Sequence, residues 1–299
     1  MKTQIVATML IAALSVTAIP AWADPAERRV AVEQGVTLRV IEAGKATARP
    51  IVFIPGWSTG ADIWRAQIDR FAGKYRVIAF DPRSQGDSTK VTIGNTPEQR
   101  AADLHAVLSS LHIRRPVLVA WSQAVQDTAA YVLKYGTRDL AGIVLVDAAV
   151  SDGSKGIAER PKQAAFQFGL FGTYLIDQQA YLRGMFGAII SKPQPRQMIE
   201  STVATGMKTP PSVGMSMLVA DMFTLDRTAA LGKIDCPVLI VAAGQPFELE
   251  QQRAEAKAIP NARFVEIDDS AHAVFIDQPE RFASALSNFL GTLDAVPRR

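Results

Sequence analysis

The chain has 299 residues, of which 48% are hydrophobic and 20% charged, with a formal net charge of +3 and a single cysteine. That composition can fill a sizeable core and excludes a disordered or fibrous chain. The dispersed charge, with only a short basic end at Pro297-Arg298-Arg299, excludes a nucleic-acid footprint, and one cysteine, Cys236, excludes an intramolecular disulfide.

Residues Met1 to Ala23 carry Lys2, an apolar run from Ile5 to Ile19 and a small-x-small end at Ala21-Trp22-Ala23. This pattern predicts a secretory signal peptide and export to the periplasm, since the run falls short of the roughly 20 residues of a spanning helix. No stable membrane insertion is expected after cleavage. Val30 to Val32 and Val36 to Ile41 flank Gln34-Gly35 and predict an antiparallel hairpin. Pro50 to Ile54 reads as a short buried strand running into Pro55-Gly56-Trp57-Ser58, with a helix expected from Ala61 to Ala72. Tyr75 to Phe80 is the next strand, followed by Asp81-Pro82-Arg83-Ser84-Gln85-Gly86-Asp87-Ser88. Thr96 is placed to cap a helix reaching Leu111, with Glu98 in its first turn.

Pro116 to Ala120 is an apolar run and Gln123 to Tyr135 has helical periodicity, so Ser122 falls on a strand-to-helix corner. Such a corner holds a serine in a strained backbone conformation above the sheet edge, with a helix N-terminus beneath it. By itself the pattern also describes a buried helix-capping serine. Gly142 to Val146 forms another strand, ending in Asp147. Strands alternating with helices predict a mostly parallel sheet with helices on both faces.

From about Val150 to Leu231 the rhythm turns helical and rich in Phe, Tyr and Met, interrupted by Pro193, Pro195, Pro210 and Pro211. We read an inserted helical cap over the C-terminal edge of the sheet, a deformable apolar roof to a pocket, with a separate helical subdomain as the alternative. The strand Pro237 to Ala242, a helix from Glu248 to Ala258, the strand Arg263 to Ile267 and a last helix from Pro279 to Leu290 follow. The predicted division is a signal at 1–23, core at 24–149, cap at 150–231 and core again at 232–299.

A serine nucleophile needs a base, itself oriented by a third group. Of three histidines, His105 and His112 lie on or beside the helix ending at Leu111, where structural or surface roles are expected. His272 follows the last strand, at the edge where open α/β sheets bind ligands, and is therefore the expected base. Two acids compete for the third position. Asp147 follows one strand directly, and Glu248 stands in the loop after the strand that begins at Pro237. There is no Gly-x-Gly-x-x-Gly after a strand, no phosphate-binding loop and no histidine pair at ligand spacing, so neither a cofactor nor a metal is predicted.

Ala120-Trp121-Ser122-Gln123-Ala124 resembles the Gly-x-Ser-x-Gly elbow of the α/β-hydrolase family, with both glycines replaced by alanine. The order Ser, acid, His is that family's order, and His272 followed by Pro279 resembles its terminal histidine loop. Pro55-Gly56-Trp57 resembles its His-Gly-x oxyanion loop, and Asp81-x-Arg83-x-x-Gly86-x-Ser88 its structural turn. The resemblance implies an α/β-hydrolase fold with an inserted helical cap. It also implies that the backbone N–H groups of Trp57 and Gln123 bind a developing oxyanion. The expected activity is serine hydrolysis of a small lipophilic ester or lactone through an acyl-enzyme on Ser122. A cofactor-free haloperoxidase and a C–C hydrolase use the same triad, and a non-catalytic ligand-binding relative is the alternative from another class.

Overall fold

The computed structural model describes residues 25–244 and 248–294. The expected signal peptide lies outside the described residues. Eight strands form one sheet: β1 (Ala26–Glu33), β2 (Val36–Ala43), β3 (Pro50–Ile54), β4 (Arg76–Phe80), β5 (Val117–Trp121), β6 (Gly142–Val146), β7 (Val238–Ala243) and β8 (Ala262–Ile267). Their spatial order is β1-β2-β4-β3-β5-β6-β7-β8. The β1–β2 hairpin and the β2–β4 pair are antiparallel, and every other pair is parallel.

The central strands are apolar throughout because both faces are covered. Since side chains alternate across a strand, Val52, Ile54, Leu118 and Ala120 go to one core with Leu104, Val107 and Ala129. Phe53, Val119 and Trp121 go to the other, with Trp64, Phe282 and Leu286. The helices of the first core are α2 (Pro97–Ser110) and α3 (Gln123–Tyr135). Thr96 caps α2 by accepting from Gln99 N–H at 3.4 Å. The second face is covered by α1 (Arg65–Phe71) and by the C-terminal helix.

The expected helix from Ala61 to Ala72 divides into a 3-10 turn, Ala61–Trp64, and α1. The division follows from a buried acceptor: Asp81 Oδ1 takes the Ala61 N–H at 2.7 Å and fixes the first turn against the loop after β4. Between β6 and β7 the chain forms α4 (Ser154–Glu159), α5 (Pro161–Ile176), α6 (Gln178–Ile189), α7 (Arg196–Gly206) and α8 (Pro211–Phe223). These helices and their connections reach the segments that follow β3, β4, β5 and β8, through Trp57 to Gly214, Asp87 to Lys208, Gln123 to Asp221 and Asp277 to Ser191. α9 (Leu249–Ala258), the short α10 (Val274–Asp277) and α11 (Pro279–Asp294) complete the fold. The last helix passes the expected end at Leu290, where Arg49 accompanies it by bonding the Leu293 carbonyl and Asp294. No described helix is long and apolar enough to cross a membrane.

Candidate active site

Ser122 has φ 58° and ψ −120°, a left-handed conformation that a non-glycine residue adopts only when its surroundings impose it. Two constraints impose it. Ser122 N–H donates to the Val146 carbonyl at 3.1 Å, extending the β5–β6 ladder by one residue, and α3 begins immediately after. Ala120 and Ala124 flank the corner with no exposure, so a methyl group fits at both places where the family motif carries glycine. Gly56 leaves no such room. A Cβ there would stand 3.0 Å from Ser122 Cβ and 3.1 Å from the Trp121 ring.

The pairing of Trp121 with Val146 places Ser122 and Asp147 side by side as they leave the sheet. Asp147 also has a positive φ, 47°, and its N–H donates to Val241 O at 2.8 Å. That turn directs a buried carboxylate toward the next loop. Its Oδ1 accepts from Ala243 N–H at 2.8 Å and from Gln252 Nε2 at 3.4 Å, and its Oδ2 lies 2.9 Å from His272 Nδ1. An ionised carboxylate only accepts, so Nδ1 carries the proton and the lone pair sits on Nε2. The Asp147 side chain is 1% exposed and that of His272 is 23% exposed, which gives a shielded anchor and an accessible ring.

His272 is fixed by its backbone as well. Trp121 Nε1 donates to the His272 carbonyl at 2.9 Å, tying the histidine loop to the residue before the nucleophile. Ala273 N–H donates to Ile189 O at 2.8 Å, and Asp277 Oδ2 accepts from Ala271 N–H at 2.7 Å. Asp277 further accepts from Ser191 N–H and Oγ and from Lys192 N–H, so one carboxylate joins the end of α6 to the histidine loop.

The N–H of Gln123, first residue of α3, has no intrahelical acceptor by the geometry of helices, and it stands at the positive end of the helix. Trp57 occupies the loop after β3, where its indole donates to Gly214 O at 2.9 Å and packs 4.9 Å from the Tyr174 ring. Among the described residues, neither the Trp57 nor the Gln123 N–H has a protein acceptor. Gln123 follows Ser122 directly, and Trp57 follows Gly56, which lies against the Ser122 side chain, so both donors belong to segments next to the corner.

The model of the Alpha/beta hydrolase family matches residues 51–285. The chain belongs to the α/β-hydrolase family. Among curated relatives it is 28% identical to the non-heme chloroperoxidase CPO-A1 of Kitasatospora aureofaciens, over 81% of this chain and 92% of that protein. It is 27% identical to the bifunctional esterase/perhydrolase DCH of Acinetobacter calcoaceticus, over 87% of this chain and 98% of that one. Among solved structures, a bromoperoxidase from Bacillus anthracis superposes with a TM-score of 0.79 at 22% identity, covering 89% of this chain and all of that one.

Within this α/β-hydrolase fold the two candidate acids have separate places. Asp147 meets His272. Glu248 instead accepts from Ala149 N–H at 2.8 Å, and burial pushes its carboxyl above the usual range. It holds the chain just beyond Asp147 and leaves the imidazole to its neighbour. Glu255 does the same one residue later, accepting from Val150 N–H at 2.7 Å, with burial raising its pKa to about 8.

Sequence reasoning missed Asp277, two residues before the last helix, and Asp221, whose partners lie far away in the chain. Among the described residues no group of three or more His, Cys, Asp or Glu is arranged to hold a metal ion. Cys236 is buried, with its thiol pushed up to about 12 by desolvation, as suits a packing residue.

Proposed function

We propose that this enzyme is a serine hydrolase that cleaves a small lipophilic ester or lactone through an acyl-enzyme on Ser122. The observation that carries the reading is the His272–Asp147 contact at 2.9 Å, tied by the Trp121 bond to the His272 carbonyl to the strained corner that holds Ser122. Ser122 Oγ attacks the acyl carbon while His272 Nε2 takes its proton. The carbonyl oxygen becomes an oxyanion facing the N–H groups of Trp57 and Gln123, each donor worth about 3 to 4 kcal/mol in comparable sites. Collapse of the intermediate breaks the acyl–oxygen bond, and the imidazolium protonates the departing alkoxide. Water, deprotonated by His272, then releases the acid and restores Ser122.

A lipophilic substrate is supported by what surrounds Trp57. Tyr174, Tyr181, Leu182, Phe186 and Met217 form an apolar cluster with it, built largely from the inserted helices. The N-terminal pattern of Lys2, the Ile5 to Ile19 run and Ala21-Trp22-Ala23 supports export to the periplasm.

A second reading is perhydrolysis. The chloroperoxidase name of the Kitasatospora relative and the esterase/perhydrolase name of the Acinetobacter relative favour it. Hydrogen peroxide in place of water at the acyl-enzyme would release a peracid, which oxidises halide, with the same residues in the same roles. One panel separates the readings: p-nitrophenyl esters of short and medium acyl chains, and halogenation of a dye with acetate, peroxide and bromide, both with Ser122→Ala as control. Ester turnover lost in Ser122→Ala supports the hydrolase. Halogenation with negligible ester turnover favours the perhydrolase, and neither activity in a folded sample sinks both.

A further inference from the structure

Gln123 serves in the proposed site only through its backbone N–H, yet its side chain is buried and bonded at both its nitrogen and its oxygen. Its Nε2 donates to Asp221 Oδ2, and its Oε1 accepts from Gln85 Nε2 at 3.1 Å. Asp221 belongs to α8, and Gln85 to the loop after β4. Asp221, 3% exposed, gives its other oxygen to Arg100 of α2. Arg100, also 3% exposed, holds Asp127 through Nε at 2.9 and 3.1 Å and the Asn95 carbonyl at 3.0 Å. Asp127 lies one turn after Gln123 on α3. The first turn of the elbow helix is therefore gripped at two points by one buried network whose far end is an inserted helix.

Arg100 and Asp127 would satisfy each other as a pair, so joining α2 to α3 does not require a second buried carboxylate. Adding one beside them carries a desolvation and repulsion cost unless it has work of its own. Arg227 helps to offset that cost through its nearby positive charge, while its guanidinium donates to the Asp221 and Leu225 carbonyls and pairs with Glu98 at 2.8 Å. The oxygen of Asp221 not used by Arg100 goes to Gln123. A glutamine side chain with its donor and acceptor pinned by different elements cannot change rotamer without breaking one bond, so its Cα and N–H are held in place.

We infer that Asp221 is a positioning residue for the oxyanion donor Gln123, so that the seating of α8 on the core sets the geometry of the oxyanion hole. This rests on the acyl-enzyme reading of Ser122. A tight two-point grip from the inserted helices and the β4 loop makes the hole complete only when those helices are docked.

The test compares Gln123→Met, which keeps the N–H and the volume but removes both side-chain bonds, with Asp221→Asn, which keeps the shape but removes the charge and sets an NH2 against one of the two donors, Gln123 Nε2 or Arg100. Each is assayed with an oxoester and the matching thionoester. Sulfur is a poor hydrogen-bond acceptor, so a disturbed hole slows the oxoester more than the thionoester. In Gln123→Met, kcat on the oxoester is expected to fall about 10- to 100-fold with KM within about threefold, and the oxo-over-thiono preference to fall with it. Asp221→Asn should move both quantities the same way by a smaller factor.

An equal loss on both substrates, or an unchanged preference in both variants, overturns the assignment and leaves a structural network. Should Gln123→Met fail to fold, Asp221→Asn alone decides by the same ratio. Fluorophosphonate labelling of Ser122 in the parent enzyme is read on the same preparation. Absent labelling overturns the acyl-enzyme reading, whereas labelling with an unmoved ratio overturns only the role of Asp221.

Discussion

Replacing Asp147 by asparagine should disable the enzyme without unfolding it, and the structure gives the reason atom by atom. Oδ1 accepts the Ala243 N–H at 2.8 Å, a backbone donor that can bond only to an acceptor such as oxygen. The amide introduced by Asp147→Asn must therefore put its oxygen there and its NH2 where Oδ2 now meets His272 Nδ1. Facing a donor, Nδ1 becomes the acceptor, the ring proton moves to Nε2, and no lone pair remains to receive the Ser122 proton. A wrong-tautomer histidine in a triad costs about four orders of magnitude in turnover, or roughly 5 kcal/mol of barrier. Glu248→Gln keeps an oxygen for Ala149 N–H and should cost less than about tenfold, a change of about 1.4 kcal/mol. Ester kcat/KM and the rate of fluorophosphonate labelling, measured on both variants with melting curves to confirm folding, check this pair. An Asp147→Asn enzyme within about tenfold of the parent, or a larger loss in Glu248→Gln, would show that Asp147 does not orient His272.

Three further outcomes concern Gly56, Asp277 and Glu255. Gly56→Ala presses a methyl group to 3.0 Å from Ser122 Cβ, and ester kcat/KM should fall by about tenfold or more through displacement of the corner. Asp277→Ala leaves the N–H groups of Ala271, Ser191 and Lys192 without their acceptor. Denaturant unfolding should show a loss of about 2 kcal/mol or more, with labelling of Ser122 slowed as the histidine loop loosens. Glu255 sets a pH dependence. Its folded pKa, raised by burial to about 8, stands above its unfolded value near 4.5. Its neutral form therefore favours folding fully below about pH 4.5, and that contribution is lost as pH rises toward 8, by at most about 1.4 kcal/mol per pH unit. Glu255→Gln should melt higher than the parent at about pH 9 and alike at about pH 4.5; equal melting at both would count against a buried, neutral Glu255.

Much of this architecture was legible because strands covered on both faces read as unbroken apolar runs. Val117 to Trp121 and Gly142 to Val146 announce themselves in that way, and a parallel sheet delivers Ser122 and His272 to the same edge whatever the loops do. The acid was ambiguous because Asp147 and Glu248 leave that same edge. Deciding between them takes a backbone fact, the φ of 47° at Asp147, which composition does not encode. The turn at Ala61–Trp64 escaped notice because its cause is Asp81, a buried acceptor from another loop. Asp221 and Asp277 were invisible as functional residues for a related reason. Each acts through partners brought near by the inserted helices, and isolated aspartates on helices look like solvated surface. The elbow taught the converse: its two alanines weaken the sequence motif, yet the corner at Ser122 forms because the space needs only small side chains.

The most direct measurement is the mass of the active-site peptide after treating the enzyme with a fluorophosphonate. One adduct is expected, on Ser122, formed rapidly in the parent, absent in Ser122→Ala and strongly slowed in His272→Ala. A folded enzyme that takes no adduct, or carries it on another residue with Ser122 untouched, would contradict it.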